Sequence, residues 1–302
     1  MPVDQDYVLP GPLALARATV DRAAHHRNDP EWLARAWSDP ASRVVVVGES
    51  TVAVDADAKA LSFVSPADAP EGDRFFLGLD DGVAYLAVHI GEAPAHGATL
   101  REAGVYLDDR DAGLAVHSIA LANWHTTHTH CPRCGAPTVI ESGGHVRRCA
   151  ADGSEHYPRT DPAVIMLVVD ENERCLLGRG GSWPDRRYST LAGFVEPGES
   201  PEHAVAREVL EESGIVVDSC RYAGAQPWPF PTSLMLGFYA SARGDVPTPD
   251  GDEVVEARWF TREELETLTA AGEIGLPRGI SIARKLVEGW FGRPLPAEAT
   301  WH

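Results

Sequence analysis

Gly193-Phe-Val-Glu-Pro-Gly-Glu199-Ser200-Pro201-Glu-His-Ala-Val-Ala-Arg207-Glu208-Val-Leu-Glu211-Glu212-Ser-Gly214-Ile215 joins a glycine-bearing lead-in to a short acidic helix. Ser200 followed by Pro201 predicts the helix start, an N-cap and then proline at the first helical position. Gly214 predicts its end in a left-handed turn. Between them Ala204, Val205, Val209 and Leu210 can face a core. Glu208, Glu211 and Glu212 stand at i, i+3 and i+4, so their carboxylates share one face. Such a face is costly alone, because like charges repel and acids near a helix C-terminus oppose its dipole. A solvated acidic face is the plain alternative. Hard divalent cations such as magnesium take oxygen ligands of this kind and would relieve the repulsion. Acids focused on one turn beside Arg207 favour the metal reading.

The stretch resembles the Nudix box, G-x5-E-x7-R-E-U-x-E-E-x-G-U, where U is a bulky aliphatic residue. Gly193, Glu199, Arg207, Glu208, Val209, Glu211, Glu212, Gly214 and Ile215 fill every fixed place. The resemblance implies hydrolysis of a nucleoside diphosphate linked to another moiety, with magnesium or manganese. The fold it implies is α/β (α+β), an α/β/α sandwich with a mixed sheet. Arg207 is expected to tie the loop from Gly193 to Glu199 onto the helix rather than to touch substrate.

Composition sets the bounds. The chain has 302 residues, 44% of them hydrophobic, enough for a sizeable core and two or three domains. Its net charge is −19, with 45 acids against 26 bases. That balance disfavours long, sequence-blind contact with a nucleic acid backbone but leaves a single nucleotide or an RNA end open. No apolar run of about 18 residues predicts a membrane span. The first 30 residues, with Asp4, Asp6, His25, His26 and Asp29, do not read as a signal peptide. Five cysteines, three of them between positions 131 and 149, suit a reducing cytosol and metal binding better than a disulfide framework.

Three segments are expected. Residues 1–125 predict an α+β N-terminal domain: helix over 13–37 broken at Asn28-Asp29-Pro30, strands over 43–47, 51–54, 75–79 and 83–90, and helix over 109–128. Asp80-Asp81-Gly82 predicts a hairpin turn between the last two strands. Nothing in this segment is catalytic by its own chemistry. Residues 126–160 carry His130-Cys131-Pro-Arg-Cys134-Gly135 and Cys149, which resemble a zinc ribbon. Closed structural zinc sites want four ligands, and only three cysteines are present. Asp152 and His156 are the candidates for the fourth place, and a ribbon that has lost its metal is the competing reading. Residues 161–302 hold the box, and the apolar run Ala163 to Val169 predicts a strand covered on both faces.

Beyond the box, Ala225-Gln226-Pro227-Trp228-Pro229-Phe230-Pro231-Thr232-Ser233 reads as a stiff loop, poor material for helix or central strand. Its flat aromatic faces can stack on a purine or nicotinamide ring. The segment resembles S-Q-P-W-P-F-P-x-S, the motif of the NADH pyrophosphatase (NudC-like) branch of Nudix hydrolases, with Ala225 in place of the leading serine.

By that resemblance Glu208, Glu211, Glu212 and Glu253 are metal-binding or catalytic acids, with Glu256 the near neighbour of Glu253. Ala192 offers a backbone carbonyl to metal. Phe194 and Tyr157 pack against substrate, Gln226 through Ser233, with Trp228 and Phe230, line its pocket, and Ala283 makes a backbone contact from a closing helix over 279–290. Arg101 matches a substrate-contacting arginine, with a solvated surface arginine as the alternative. The implied reaction is hydrolysis of the pyrophosphate of NAD(H) to AMP and nicotinamide mononucleotide by a homodimer whose active sites share elements of both chains. Removal of an NAD cap from RNA 5′ ends is the same chemistry. A nucleotide-sensing regulator that binds without cutting is a third reading, against which the intact set of acids argues.

Overall fold

The β-branched run at Arg43–Gly48 forms the first strand, β1, in the computed structural model, which describes residues 7–296 and Thr300. Thr51–Ala53 (β2), Phe63–Val64 (β3), Asp73–Asp80 (β4), Val83–His89 (β5) and Gly97–Thr99 (β6) complete its sheet, in the order β4-β5-β1-β2-β6 with β3 beside β1. The turn between β4 and β5 uses left-handed Asp81 (φ 46°) and Gly82 (φ 78°), the conformation of a type I′ hairpin. Pro30–Ala36 (α1), Leu100–Ala103 (α2) and Asp109–Thr127 (α3) are the helices of this region.

The helix expected over 13–37 is mostly absent. Only a short turn at Ala24–His26 and α1 are helical. Tertiary pairing wins over local pattern: Asp21 exchanges backbone hydrogen bonds with Leu79, and Leu13 and Leu15 are buried. The helix starts only where Asp29 caps it, accepting from the Trp32 N–H, with Pro30 in the first helical position.

Thr138–Glu141 (β7), Val146–Cys149 (β8) and Glu155–His156 (β9) form the small antiparallel sheet of the ribbon. By packing, the chain makes two units, whereas three segments were expected. One unit comprises Ala14–Thr160 together with Pro227–Thr232. Buried hydrogen bonds join the ribbon to the N-terminal region: His145 Nε2 donates to the Phe76 carbonyl at 2.9 Å, His125 Nε2 to the Gly144 carbonyl at 2.8 Å, and Arg147 Nη1 to His125 Nδ1 at 2.9 Å.

The other unit holds the described residues up to Leu13, Asp161–Gln226 and those from Ser233 onward. Its strands are Asp161–Val169 (β10), Cys175–Gly180 (β11), Leu191–Phe194 (β12), Val217–Trp228 (β13), Ser233–Ala242 (β14) and Val254–Phe260 (β15). Its helices are Pro201–Ser213 (α4), Arg262–Ala270 (α5) and Ile282–Phe291 (α6). The order is β13-β14-β10-β11-β15, with β12 on β10; the β10–β14 pair is parallel and β10–β11, β10–β12 and β11–β15 are antiparallel. The central strand β10 is apolar on both faces because both are covered. Ile165, Leu167 and Val169 pack with Leu265, Leu286 and Trp290 of α5 and α6, and Val164, Met166 and Val168 pack with Ala204, Val205 and Val209 of α4. This is the mixed-sheet α/β/α sandwich. Pro227 is tolerated because β13 is an edge strand.

Candidate active site

Helix α4 forms as its sequence predicts. Ser200 Oγ accepts from the His203 N–H, Pro201 opens the first turn, and Gly214 closes the helix at φ 69°. The three acids do not share one environment, although they share one face. Glu208 and Glu212 are buried, whereas the Glu211 side chain is 59% exposed. Arg207 contacts Glu208 and Glu211 alike. Its guanidinium donates to both oxygens of Glu199 (2.9 and 2.8 Å), to Glu208 Oε1 (2.8 Å), to Glu211 Oε2 (3.1 Å) and to the Phe194 carbonyl (2.9 Å). It therefore fastens the lead-in loop to α4 and holds the Glu199 carboxyl down to about 2.

Glu212 has no such partner. Burial, and then the charges of Glu208, Glu253 and Asp250, push its carboxyl up to about 8, against a backbone hydrogen bond from Ala192. One of its oxygens is buried without a hydrogen-bond partner. Burial also raises the Glu208 carboxyl, against the pull of Arg207. At Gly193 a Cβ would overlap the Glu208 carboxylate, so a side chain there would push that carboxylate aside. A cavity of about 380 Å³ opens beside these groups, lined by Ala192, Glu212, Glu253, Asp252 and Trp183 among others. An orphaned buried carboxylate oxygen beside Glu208 and Glu253 is an oxygen donor set that fits a divalent cation.

Two groups here were not singled out from the sequence. Asp250 accepts from the backbone N–H groups of Asp252, Glu253 and Val254 (3.2, 3.4 and 2.9 Å), shaping the turn that presents Glu253. The Asp-Gly-Asp run at 250–252 is a turn signature that could have flagged it. Trp183 lies against the backbone of Gly180 at the cavity wall. Glu256 instead pairs with Arg179 at 3.4 Å.

Phe194 and Tyr157 are exposed, and the Tyr157 hydroxyl donates to Glu155. Gln226 is fully buried, donates Nε2 to the Ile280 carbonyl at 3.0 Å and leaves its Oε1 unpartnered. Ala283 is buried in the first turn of α6, its N–H donating to the Ser281 cap, and Ser233 opens β14 opposite Asp161. In the other unit Trp228 and Phe230 stand edge to face, ring centres 4.9 Å apart. The Arg101 guanidinium lies over both rings, at 4.9 and 4.3 Å.

In the ribbon, ligand atoms of Cys131, Cys134, Cys149 and Asp152 all lie within 4.8 Å of one another. The Ala151 and Asp152 N–H groups point at Cys149 Sγ (both 3.4 Å), a knuckle turn that brings Asp152 round to the thiols. His156 reaches Ser154 Oγ at 3.1 Å, and Ser154 in turn contacts Cys131 and Asp152. This set fits a tetrahedral zinc ion.

A mixed-sheet sandwich with a buried acid cluster on the box helix, joined to a ribbon, defines a Nudix hydrolase, an enzyme of pyrophosphate bonds. Residues 159–278 match the NUDIX domain and residues 126–157 the NADH pyrophosphatase zinc ribbon domain. The NAD-capped RNA hydrolase NudC of Mycobacterium tuberculosis is 38% identical over 304 residues, covering 94% of this chain and 96% of its own. The human NAD-capped RNA hydrolase NUDT12 is 31% identical over 335 residues, covering 91% of this chain and 72% of its own. Among solved structures, a Nudix hydrolase from Nitrosomonas europaea aligns with TM-score 0.44 and 24% identity over 58% of this chain and 96% of its own. The chain belongs to the NudC family of Nudix hydrolases.

Proposed function

We propose that this chain hydrolyses the pyrophosphate of NAD(H), giving AMP and nicotinamide mononucleotide. The unpartnered Glu212 oxygen, in a cavity shared with Glu253 and beside Glu208, carries the reading. Glu208, Glu212, Glu253 and the Ala192 carbonyl, with Glu211 at the edge, would hold magnesium or manganese. When bound, these ions neutralise the diphosphate and make water more acidic. Glu211 or Glu212 takes the proton of the attacking water. The partnerless oxygen supports Glu212, since Glu211 is already engaged by Arg207. Trp228 and Phe230 offer stacking faces for one ring of the dinucleotide, with Arg101 against them. Phe194 and Tyr157 offer exposed faces for substrate. Gln226, Ser233 and the Ala283 backbone line the pocket in this reading.

That the mycobacterial and human relatives are NAD-capped RNA hydrolases favours a second substrate, the NAD cap of RNA, cleaved by the same chemistry. A net charge of −19 argues against a tight grip on the RNA backbone beyond the cap. We further propose a structural zinc on Cys131, Cys134 and Cys149, with Asp152 or His156 as fourth ligand, and a homodimer working in the cytosol. The position of Asp152 within the thiol cluster supports Asp152. Among the described residues no helix is long and apolar enough to cross a membrane.

Side-by-side turnover of NADH, NAD+, ADP-ribose, a diadenosine polyphosphate and NAD-capped RNA, with magnesium and with manganese, tests the assignment. Preference for the nicotinamide substrates is expected. Faster cleavage of ADP-ribose or the diadenosine compound would overturn it.

A further inference from the structure

The segment Pro227–Thr232, the end of β13 and the turn after it, packs as part of the N-terminal unit, although its sequence neighbours belong to the other. Residues 229–232 turn the chain from β13 to β14, and the Phe230 N–H donates to the Trp228 carbonyl at 2.7 Å. Pro229 and Pro231 have no N–H to extend the ladder, and their own carbonyls still call for donors. Asn123, on α3, supplies them: Nδ2 donates to the Pro229 carbonyl at 3.0 Å and to the Pro231 carbonyl at 3.3 Å, on either side of Phe230.

An asparagine amide could also turn its oxygen toward those carbonyls, which would repel. Ser50 decides the orientation. Its hydroxyl donates to Asn123 Oδ1 at 2.9 Å, so the NH2 group is left facing the loop. Ser50 is presented by the tight turn between β1 and β2, where Glu49 and Ser50 both take left-handed backbone (φ 49° and 58°). Left-handed backbone at two adjacent non-glycine residues is costly and persists where the surroundings require it. On the aromatic side of the loop, Arg101 of α2 covers Trp228 and Phe230.

We infer that Asn123, oriented by Ser50, is a positioning residue that holds the Trp228–Phe230 loop in its substrate-stacking shape. This inference rests on the proposed dinucleotide reading, so its test has one arm that does not use activity. The first arm is hydrogen–deuterium exchange, without substrate, in peptides covering residues 224–236. In Asn123→Ala the Trp228 and Phe230 amides exchange at least about tenfold faster, while α3 and β10 keep their protection.

The second arm is steady-state kinetics on NADH. Asn123→Ala raises KM roughly tenfold with kcat within about twofold, the split expected when binding is loosened and chemistry is not. Ser50→Ala, the gentler change, moves both readouts in the same direction by less, and adds nothing in the Asn123→Ala background. Unchanged loop exchange in both variants overturns the clamp, as does strict additivity of the two substitutions, and faster exchange with an unchanged KM overturns its role in holding substrate. A wild-type chain that does not turn over NADH refutes the substrate reading instead, and the exchange arm still decides whether the clamp exists.

Discussion

At Gly193 the backbone of β12 runs so close to the Glu208 carboxylate that no side chain fits between them. Gly193→Ala is therefore expected to displace Glu208 and cut kcat by about two orders of magnitude or more, with the far-ultraviolet circular dichroism unchanged. An active Ala variant would show that Glu208 can move without loss. The acids themselves separate by environment. Glu212→Gln is expected to lower kcat by about two to four orders of magnitude, and Glu211→Gln by less, because Glu211 is exposed and tied to Arg207. The reverse ranking in kinetics at saturating magnesium would place the proton acceptor on Glu211. The spacing of the box made all these residues legible, since a 3.6-residue period puts them on one face. It could not say which would be buried. Nor could it say that Arg207 would fill its five donors with Glu199, Glu208, Glu211 and the Phe194 carbonyl, leaving Glu212 aside.

Among the elements, those with strong local signals were readable: α4 from its cap and glycine stop, β10 from its apolar run, the β4–β5 hairpin from Asp-Asp-Gly. The segment before α1 was not, because its backbone pairs with Leu79, far along the chain. The aromatic motif gave the loop's chemistry but not its support, since Asn123 and Ser50 lie outside any motif. Trp228→Ala is expected to raise KM for NADH about tenfold or more, as loss of one stacked ring costs on the order of 1–3 kcal/mol. An unchanged KM would make Trp228 a packing residue beneath Arg101. For the ribbon, protein purified without chelator is expected to carry about one zinc per chain by elemental analysis. Asp152→Ala should lose that metal to mild chelation before His156→Ala does, given where the two side chains lie. Negligible zinc with three freely titrating thiols would mean a ribbon folded by its hydrogen bonds alone.

For the whole molecule, the expected boundary at residue 125 is crossed by buried polar bonds that no composition shift reveals. Those bonds have a pH consequence. Burial depresses His125 and His145 to about 4 and also lowers His117, among Arg22, Arg27, Arg147 and Asp73. His125 must be neutral to accept from Arg147 while donating to Gly144. The unfolded chain takes up these protons near pH 6.5 and the folded chain near 4, so stability is complete above about 6.5 and falls as pH drops toward 4. The unfolding temperature should fall by several degrees from pH 7 to pH 5, and His145→Gln should shrink that drop. A drop of the same size in the variant would assign it to other groups.

We propose that the α4 acid cluster directs water onto the pyrophosphate of a nicotinamide dinucleotide. Chromatographic product analysis after incubating the wild-type chain with NADH and magnesium tests it most directly. Equal amounts of AMP and reduced nicotinamide mononucleotide, appearing together and with no free nicotinamide, are the result expected. Intact NADH, or cleavage that releases nicotinamide and leaves the diphosphate whole, would contradict it.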